Sequence, residues 1–600
     1  MSETIVKKAL NSLGKGFDLT SDFRLKYCKG KQRLILLNES DKRELQVPGF
    51  GAIQDVSIDI KCDKGDRIRY QSDILSFNQM SEFFNQKSEV PGKIPSGLFN
   101  SMFGFESGSW GKDAANIKNL GLDGYFIMLL NVHVDRYPLI LSDEVRDAVP
   151  TSWDPSALAR FIGKYGTHVV VGLGIGGQDV VLVKQDTSSN LGPSDLKKHL
   201  DDLGNQLFTG TCNFTPLTSK TKDNKQKAPQ AFNLFDPQPI AIGSFASTNK
   251  KDGITVISSK RGGDPMSNSH CEWLLTVPSN PDAISFSFIP ITSLLRGVPG
   301  KGFLSHAINL YLRYKPPLSD LQYFLDFQAH KIWAPVYNDL PLGPTNRATK
   351  SSAIQLNLMG PKLYVNTNRV MVGKTPVTGM RLYLEGMKYN RLAIHLQHLT
   401  NTPKLLDDKI EDTTTWRGSE DILDHADYLE PINNKKFSHI CTVPIKYDSK
   451  WKTTQDDVAY IVTGAQLVVT KHHSKSVLHL KLLFSKISNC FVIQSNWAEC
   501  SSEFSQKSGI LSAISTSLSG QSTAVKAEKQ PVVIVDSSVF PTGPPASKQT
   551  QKLLKFVDTT PLCKGPQDNP GHWLVTGARL YLEKGKIGLH VKFSLLNVCS

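Results

Sequence analysis

The chain lacks any hydrophobic run that would let one segment cross a membrane. None of its 600 residues falls in an uncharged apolar stretch approaching the ~18 residues that a spanning helix needs. The first ten residues lack the apolar core of a signal peptide, and Ser2 stands where N-myristoylation requires glycine. These absences predict a protein made and folded in the cytosol, without a secretory leader or a transmembrane helix.

Cysteine and histidine are not arranged for metal binding. The nine cysteines form no Cys-x-x-Cys pair, and an odd number cannot all pair within one chain, so reduced thiols are expected. In a β-strand His395 and His398 would point to opposite faces, and no carboxylate or thiol completes a ligand set. The sequence predicts no metal site.

Enzyme motifs are missing as well. Residues 172–177 superficially match a dinucleotide-binding loop, but a strand follows them, so no helix N-terminus is available for a phosphate. Residues 373–375 resemble the end of a P-loop, but Pro376 blocks a following helix. Neither a GxSxG elbow nor a nucleophile–base arrangement stands out. We therefore expect no catalytic residues, no cofactor and no enzymatic activity.

Positive charge is in excess. The formal net charge is +14 at pH 7, which favours an acidic partner. An anionic lipid surface and a nucleic acid are equally compatible with charge alone.

Residues 165–177 carry the most informative motif. They read Tyr-Gly-Thr-His, then a β-rich run, then a pair of glycines, and residues 179–183 continue as a strand. Glycine inside a strand marks a bend, a bulge or a close approach of another backbone. The motif therefore indicates a strand that bends, a mechanical feature rather than a catalytic one. The candidate hinge residues are Tyr165, Gly166, Thr167, His168, Gly176 and Gly177.

This motif resembles the signature of the membrane attack complex/perforin (MACPF) family, with Val169 in place of an aromatic residue. Residues 14–22 and 27–30 resemble the opening of the plant branch of that family, which includes cell-death regulators called Constitutively Activated Cell Death and Necrotic Spotted Lesions. Gly262 and Gly263 resemble a second glycine-pair strand. The resemblance implies an α+β fold: a MACPF/CDC-like bent, twisted antiparallel sheet with flanking helical clusters.

Two long segments, about 80–120 and 187–252, interrupt the strand-rich sequence. The resemblance places there helical clusters that refold into membrane-spanning β-hairpins. Bilayers accept only helices and closed barrels, so a chain without a spanning helix must insert strands of ~9–11 alternating residues from many copies. The candidate membrane-inserting residues are Phe99, Phe103, Phe105, Leu196, Leu200, Leu203 and Leu207.

The two segments do not support insertion equally. The four leucines fall on one face of a helix that Ser194 would cap, whereas in a strand they divide between the two faces. The three phenylalanines alternate better as a strand. Two interpretations therefore stay open: segments that insert, or stable amphipathic helices that remain packed on the sheet.

The second half of the chain contains an internal repeat. A Val-Thr-Gly pattern followed by alternating residues begins at Val377, Val462 and Val575, and a second alternating strand follows each copy. The repeat glycines are Gly379, Gly464 and Gly577. One hairpin alone has no partner for its apolar face, so three copies predict a pseudo-threefold, β-prism-like domain. A six-bladed propeller or a C2-like sandwich fits a count of three less well.

Together these patterns predict a MACPF domain over residues 1–330, a linker over 331–350 and an all-β three-repeat domain over 351–600. The resemblance implies a membrane-associated protein that negatively regulates salicylic-acid-mediated programmed cell death (the hypersensitive response) in plant defence. Pores would form by oligomerisation into a β-barrel.

We expect a cytoplasmic chain peripherally bound to the plasma membrane, with anionic lipids and further copies of itself as partners and no nucleic acid. The alternatives are a non-lytic membrane-docking scaffold or signalling module, and a carbohydrate- or lipid-binding protein. A glycan or protein ligand of the C-terminal domain is compatible with all of them.

Overall fold

The computed structural model describes residues 2–105, 110–208, 230–232, 246–267, 269–335, 362–386, 390–422, 426–434, 436–447, 457–472, 474–498, 551–565 and 572–598. The chain divides into two compact units, Met1–Leu321 and Gln322–Ser600. Among the described residues, no helix has both the length and the apolar character needed to cross a membrane.

The first unit combines helices with a large antiparallel sheet. Its helices are α1 (Ser2–Ser12), α2 (Phe77–Lys87), α3 (Gly97–Phe103), α4 (Trp110–Asn116), α5 (Asp143–Asp147), α6 (Pro155–Tyr165), α7 (Pro193–Phe208), α8 (His270–Thr276) and α9 (Lys301–Tyr314). Its strands are β1 (Gly16–Phe17), β2 (Cys28–Lys29), β3 (Lys42–Val47), β4 (Gly51–Ser57), β5 (Ile60–Lys64), β6 (Arg67–Gln71), β7 (Ile117–Val134), β8 (His168–Asp186), β9 (Ala246–Lys251), β10 (Ile254–Arg261) and β11 (Asp282–Pro290).

Strand β8 is the centre of this sheet. It is 19 residues long and nearly all of them are buried. One edge pairs with β7 and then β1, and the other pairs with β10 and then β11, all antiparallel. The fold is therefore α+β, with a long sheet whose central strand has no free edge.

Helices cover both faces of the β7–β8–β10 region. On one face α2 and α3 pack against Val180 and Leu182 of β8. On the other face α7 packs against Val181 and Val183, the alternate residues of the same strand. Because successive side chains of a strand point to opposite faces, a continuous valine–leucine run supports two separate helical layers.

Local sequence signals explain where these helices begin and end. Ser76 and Gln79 form a capping box at the start of α2. Ser96 caps α3, and Gly104 ends it in the left-handed conformation at φ 65°. The proline at the first position of α7 is also favoured there, because its missing N–H would have no intrahelical acceptor.

The second unit is almost entirely β. After α10 (Leu321–Asp326), which contains the boundary between the units, its elements are β12 (Lys331–Ala334), β13 (Tyr364–Val365), β14 (Val370–Met371), β15 (Val377–Glu385), β16 (Arg391–Leu399), β17 (Ile410–Gly418), β18 (Leu429–Pro431), β19 (His439–Cys441), β20 (Ile445–Lys446), β21 (Val458–His472), β22 (Lys475–Ser488), β23 (Cys490–Ala498), α11 (Gln551–Leu554), β24 (Leu562–Cys563), β25 (His572–Glu583) and β26 (Lys586–Val598).

Each of the three sequence repeats forms the hairpin at the centre of its own sheet. The hairpins are β15–β16, β21–β22 and β25–β26. Leu382, Leu467 and Leu580, three residues after each repeat glycine, are fully buried in one shared core. Three sheets around a common apolar core are the expected β-prism-like arrangement.

The repeat glycines sit where a third strand crosses each hairpin. All three hairpins have a bulge directly before the glycine. Gly379 pairs with β24, Gly464 with β14 and Gly577 with β20, so each short strand that precedes one hairpin pairs with the next hairpin in cyclic order. A Cβ on Gly577 would lie 2.6 Å from the carbonyl oxygen of Ile445. The glycines therefore allow the strand exchange that closes the ring.

The structure differs from the predicted boundaries at the junction. Residues 331–334, assigned to the linker from sequence, form β12 and pair with β16. Proline-rich flanks suggested a linker, but Trp333 and Ala334 are buried in the sheet. The rest of the predicted linker, residues 336–350, lies outside the described residues.

Candidate functional site

The Tyr-Gly-Thr-His turn connects α6 to β8. Asp154 caps α6 by accepting hydrogen bonds from the backbone N–H groups of Ser156 and Ala157. The helix ends at Gly166, whose φ is +80° and whose missing Cβ would lie 2.5 Å from the carbonyl oxygen of Phe17. Only glycine fits this turn, because both the backbone conformation and the space exclude a side chain.

Thr167 and His168 attach the N-terminal strand to the sheet. The backbone N–H of Thr167 donates to the carbonyl oxygen of Phe17 over 2.9 Å, and its hydroxyl accepts from the N–H of Leu19 over 3.2 Å. His168 pairs with Phe17 on one side and with Pro290 on the other. Burial lowers the pKa of His168 to about 4, so the imidazole is neutral at physiological pH.

Gly176 and Gly177 mark the point where β8 changes its partner. Gln178 still pairs with β10, whereas Gly176 pairs with Asp282 at the start of β11. On the opposite edge, the register with β7 shifts between Met128 and Leu130. A Cβ on Gly176 would lie 1.8 Å from the carbonyl oxygen of Ile127. The sheet therefore bends where two strands meet on one edge and a bulge lies on the other.

The second glycine pair meets the first at this bend. Gly262 and Gly263, with φ values of +70° and +67°, end β10, and a Cβ on Gly262 would lie 2.3 Å from the carbonyl oxygen of Gly176. The indole of Trp273 on α8 lies against both pairs, with a Cβ on Gly177 or Gly263 placed 2.8 Å or 2.7 Å from its ring atoms. Its Nε1–H donates to the carbonyl oxygen of Gly262 over 2.7 Å.

Two polar pairs surround the bend. Arg261 lies 3.0 Å from Asp282, and this pair joins the end of β10 to the start of β11. Arg261 also donates a hydrogen bond to the carbonyl oxygen of Phe23. His270 on α8 lies 2.8 Å from the carboxylate of Asp179 on β8. The four glycines, α8 and these pairs form one unit, which we call the glycine bend.

The candidate membrane-inserting residues lie in the two helical layers. Phe99 and Phe103 belong to α3 and are fully buried against the sheet, and Phe105 packs beside them. Leu196, Leu200 and Leu203 form the buried face of α7, with Leu207 at its margin. Residues 209–229 and 233–245 of the second segment lie outside the described residues.

Polar contacts as well as apolar packing hold α7 to the sheet. Asp123 of β7 is completely buried and accepts two hydrogen bonds from Arg69, over 3.0 Å and 2.8 Å. Arg69 also donates to Asn205 of α7 over 3.0 Å, and Gly204 of α7 packs directly on the Asp123 carboxylate. Release of α7 would break the Arg69–Asn205 bond, whereas the Asp123–Arg69 pair, which joins β7 to β6, would stay in place.

A basic and aromatic surface lies on the third sheet of the second unit. Trp497, Lys592, Gly577 and Lys446 are successive partners across the four strands of that sheet, so their side chains share one face. The pKa of Lys592 is lowered by burial and by repulsion from Lys446. Val492 lies on the same face by its register, and we call this surface, with Lys446, Lys592 and Trp497, the docking face. Four apolar side chains of the edge strand β23 are more than a third exposed: Phe491, Val492, Ile493 and Trp497.

The structure brings together only part of the predicted hinge. Gly176, Gly177, Gly262 and Gly263 meet near the middle of β8, whereas the Tyr-Gly-Thr-His turn lies at the start of that strand, roughly 25 Å away at the ordinary rise of a strand. The sequence reading missed α8, with Trp273 and His270. Its signal was the Ser269-x-x-Glu272 pattern, in which Ser269 caps the helix by accepting from the N–H of Glu272.

The family model of the MAC/Perforin domain matches residues 6–321. This chain belongs to the MACPF family. The match covers the glycine bend, both helical layers and the whole sheet of the first unit. Membership gives the protein a perforin-like, membrane-related role.

Relatives in Arabidopsis thaliana match along the whole chain. One MACPF domain-containing protein is 57% identical and covers 99% of this chain and 98% of its own length. The MACPF domain-containing protein NSL1 is 45% identical over 100% of this chain and 98% of its own. The MACPF domain-containing protein CAD1 is 42% identical over 99% and 97%. The protein is thus a plant MACPF protein of the CAD1/NSL1 family.

Among solved structures, GNIP1Aa from Chromobacterium piscinae is similar over 68% of this chain and 72% of its own, with 10% identity and a TM-score of 0.37.

The glycine bend should not tolerate a methyl group. In Gly176→Ala the new Cβ would meet the carbonyl oxygen of Ile127, and we expect overpacking to lower the free energy of unfolding of this MACPF domain by about 1–3 kcal/mol. Gly163→Ala in α6 is the matched control, because no atom lies within 4 Å of its Cβ position. That control should be neutral or stabilising by up to about 1 kcal/mol. Urea unfolding of the full chain measures both, and equal effects would contradict the assignment.

Acid should destabilise the attachment of the N-terminal strand. The folded-state pKa of His168 is about 4, below the ordinary value of 6.5. The unfolded chain therefore binds the proton more readily between these values, and stability present above pH 6.5 is lost as the pH falls towards 4. The loss attributable to His168 should be roughly 3 kcal/mol. Urea unfolding at several pH values should show a steeper fall in the parent protein than in His168→Gln, and parallel curves would contradict this.

Proposed function

We propose that this protein docks on anionic membranes, oligomerises there and opens at the glycine bend, so that its two helical layers leave the sheet and insert as β-hairpins. The observation that carries the proposal is the meeting of both glycine pairs beside α8. At that point the central strand exchanges partners, and its backbone can reorient without moving a side chain. In this proposal the protein is not an enzyme and uses no cofactor.

The helical layers supply the material for insertion. Each layer covers one face of β7, β8 and β10 and contributes apolar side chains that a bilayer would also accept. Strands in a bilayer must have every backbone polar group paired, which a single copy cannot achieve. Oligomerisation must therefore accompany or precede insertion.

The docking face of the third prism sheet supports a membrane partner. Trp497 and the apolar edge residues of β23 can enter the interfacial layer, and Lys446 and Lys592 can contact anionic headgroups. The two lysines lie across Gly577, where the missing side chain leaves room between them. This arrangement favours lipid over nucleic acid, because exposed aliphatic residues add nothing to phosphate binding in water.

The physiological part of the proposal follows from the family. We propose that the protein negatively regulates salicylic-acid-mediated programmed cell death in plant defence, as the resemblance to the cell-death regulators implies. It would act from the cytosolic side of the plasma membrane. What supports this is the full-length similarity to NSL1 and CAD1.

A non-lytic scaffold is the second candidate. Arg69 links α7 to the sheet, because it pairs with the buried Asp123 of β7 and also donates to Asn205 of α7. As a strand, α7 would also divide its leucines between two faces. Both features favour a helix that stays on the sheet while the protein docks. A glycan or protein ligand of the prism unit is a third candidate that rests on the fold alone.

A disulfide between α7 and β7 separates these candidates. The Cβ position of Gly204 lies 2.6 Å from Cγ of Asp123. Because Cγ is one bond of about 1.5 Å from Cβ, the two Cβ atoms are at most about 4.1 Å apart, below the upper limit of ~4.5 Å for a disulfide. For Asp123→Cys/Gly204→Cys we expect no dye release from anionic liposomes when oxidised and recovery after reduction. Refolding of α7 cannot occur while the lock is closed.

The single variant Asp123→Cys is the matched control, since it loses the same buried carboxylate but cannot form the lock. It should release dye equally before and after reduction. If the double variant released dye equally in its oxidised and reduced forms, refolding of α7 would not be part of the mechanism. Liposome binding without release in every form would favour the scaffold.

The docking face predicts where charge matters. Lys446→Gln/Lys592→Gln should weaken binding to anionic liposomes by about 2 kcal/mol, from about 1 kcal/mol per lysine, which is roughly 30-fold. Lys374→Gln/Lys475→Gln removes the same charge from exposed positions outside that sheet, one in the turn before β15 and one at the start of β22. Co-sedimentation at fixed salt measures both, and equal loss in the two variants would show that net charge alone drives docking.

A further inference from the structure

A cavity of about 260 Å³ lies between the first helical layer and the sheet. Its lining is mostly apolar and comes from α2, α3 and the strands beneath them. Its apolar lining includes Phe83 and Phe84 of α2, Leu98 and Met102 of α3, and Leu122 and Phe126 of β7. This cavity exists only while α2 and α3 pack on the sheet, because the helices form one wall and the sheet forms the other.

One cation lines this cavity. The ammonium of Lys87, at the end of α2, lies 4.1 Å from the ring centre of Tyr70 and 4.7 Å from those of Phe83 and Phe126. Burial alone lowers its pKa to about 8, with no contribution from a neighbouring charge. Within the described part of the chain, no carboxylate forms an ion pair with it. The three rings hold the ammonium in place and leave it without a counter-ion.

The second polar side chain of the lining is weakly engaged. Gln178, next to the glycine bend, directs its amide towards the sulfur of Met102 over 3.4 Å. A thioether is a poor acceptor, so this amide can donate to a better one. A polar group of a ligand thus has two donors available, from Lys87 and Gln178.

Size and lining define the class of ligand. An apolar cavity of about 150 Å³ already binds benzene in another protein, so this larger space accepts more than one aromatic ring or a medium-length alkyl chain. It is too small for the two acyl chains of a membrane lipid. Apolar walls with one or two convergent polar groups are the usual composition of a small-molecule site.

We propose that this cavity binds a small organic acid, with its apolar body between α3 and the sheet and its carboxylate on Lys87. The carboxylate gives Lys87 the counter-ion that the chain does not provide. The apolar body fills space that would otherwise lower the packing density beneath the helices.

Such a ligand would hold the first helical layer on the sheet. It binds the docked arrangement and not a form in which α2 and α3 have left, so it stabilises the docked form by RT ln(1 + [L]/Kd). This second part rests on the proposed release of the helices, whereas the binding site itself does not. A soluble metabolite could in this way restrain insertion.

Binding is tested by titration calorimetry with decanoate on the full-length protein. We expect saturable binding that weakens at least tenfold in Lys87→Met, which keeps the alkyl stem but removes the charge. Decanol, with the same chain and no charge, should bind the parent protein and Lys87→Met equally. Lys93→Met is the matched control, because Lys93 lies in the same region but pairs with Glu82 and does not line the cavity.

Absence of decanoate binding, or equal binding by the parent and Lys87→Met, would overturn the site. Hydrogen exchange tests the second part: decanoate should slow exchange over residues 77–103 and leave 193–208 unchanged. Binding without slower exchange over 77–103 would overturn the restraint and leave the site standing. Neither measurement depends on dye release, so a failure here is distinct from a failure of the pore.

Discussion

The structure of the first unit depends on complete pairing of β8 along both edges while both of its faces are buried. A strand in this position cannot lose a partner cheaply, because each exposed backbone group would need a new one. It also cannot bend freely, because side chains on both faces are packed. The glycine bend reconciles these demands: β10 ends and β11 begins beside Gly176, so the edge stays paired while the sheet changes direction. Every neighbouring element is fitted to this exchange, including the Arg261–Asp282 pair that joins the two strands.

The second unit solves a related problem by closure. Each prism hairpin takes its third strand from the segment before another hairpin, and β24 returns to the first hairpin to complete the ring. Here too a glycine lies at a bulge, where a strand from another repeat pairs with the hairpin. The same residue serves different ends in the two units. In the prism, glycine lets each hairpin keep a strand from another repeat. In the first unit, glycine leaves the change of strand partner along β8 free of side chains that would resist movement.

Much of this architecture was predictable because it depends on local patterns. The repeat predicted three hairpins from alternation and a Thr-Gly signal, and the leucines of α7 predicted its buried face from their helical spacing. The meeting of Gly176 with Gly262 was not predictable from spacing, since 86 residues separate them in sequence and only the antiparallel pairing of β8 with β10 brings them together. Trp273 was missed for the same reason, because its role comes from contact with both pairs and not from its own segment. The cavity beside Lys87 likewise exists only after α2 packs on β7.

In the proposed opening, the main barrier lies in the backbone hydrogen bonds that the released segments must form again. Burial of a large apolar side chain is worth about 1.5–3 kcal/mol, so the phenylalanines and leucines of the two layers bind the sheet strongly. A bilayer offers them comparable burial. The free energy of apolar burial therefore changes little between the form with the helices on the sheet and the proposed inserted form. The Asp123–Arg69 pair adds no cost of its own, because it joins β7 to β6 and is not separated when α7 leaves. The released helices would lose their own backbone hydrogen bonds, and in a bilayer only neighbouring copies can supply the strand pairing that replaces them. On the proposed mechanism, a single membrane-bound molecule is therefore expected to stay closed, and assembly, not membrane contact alone, would be the step that permits opening.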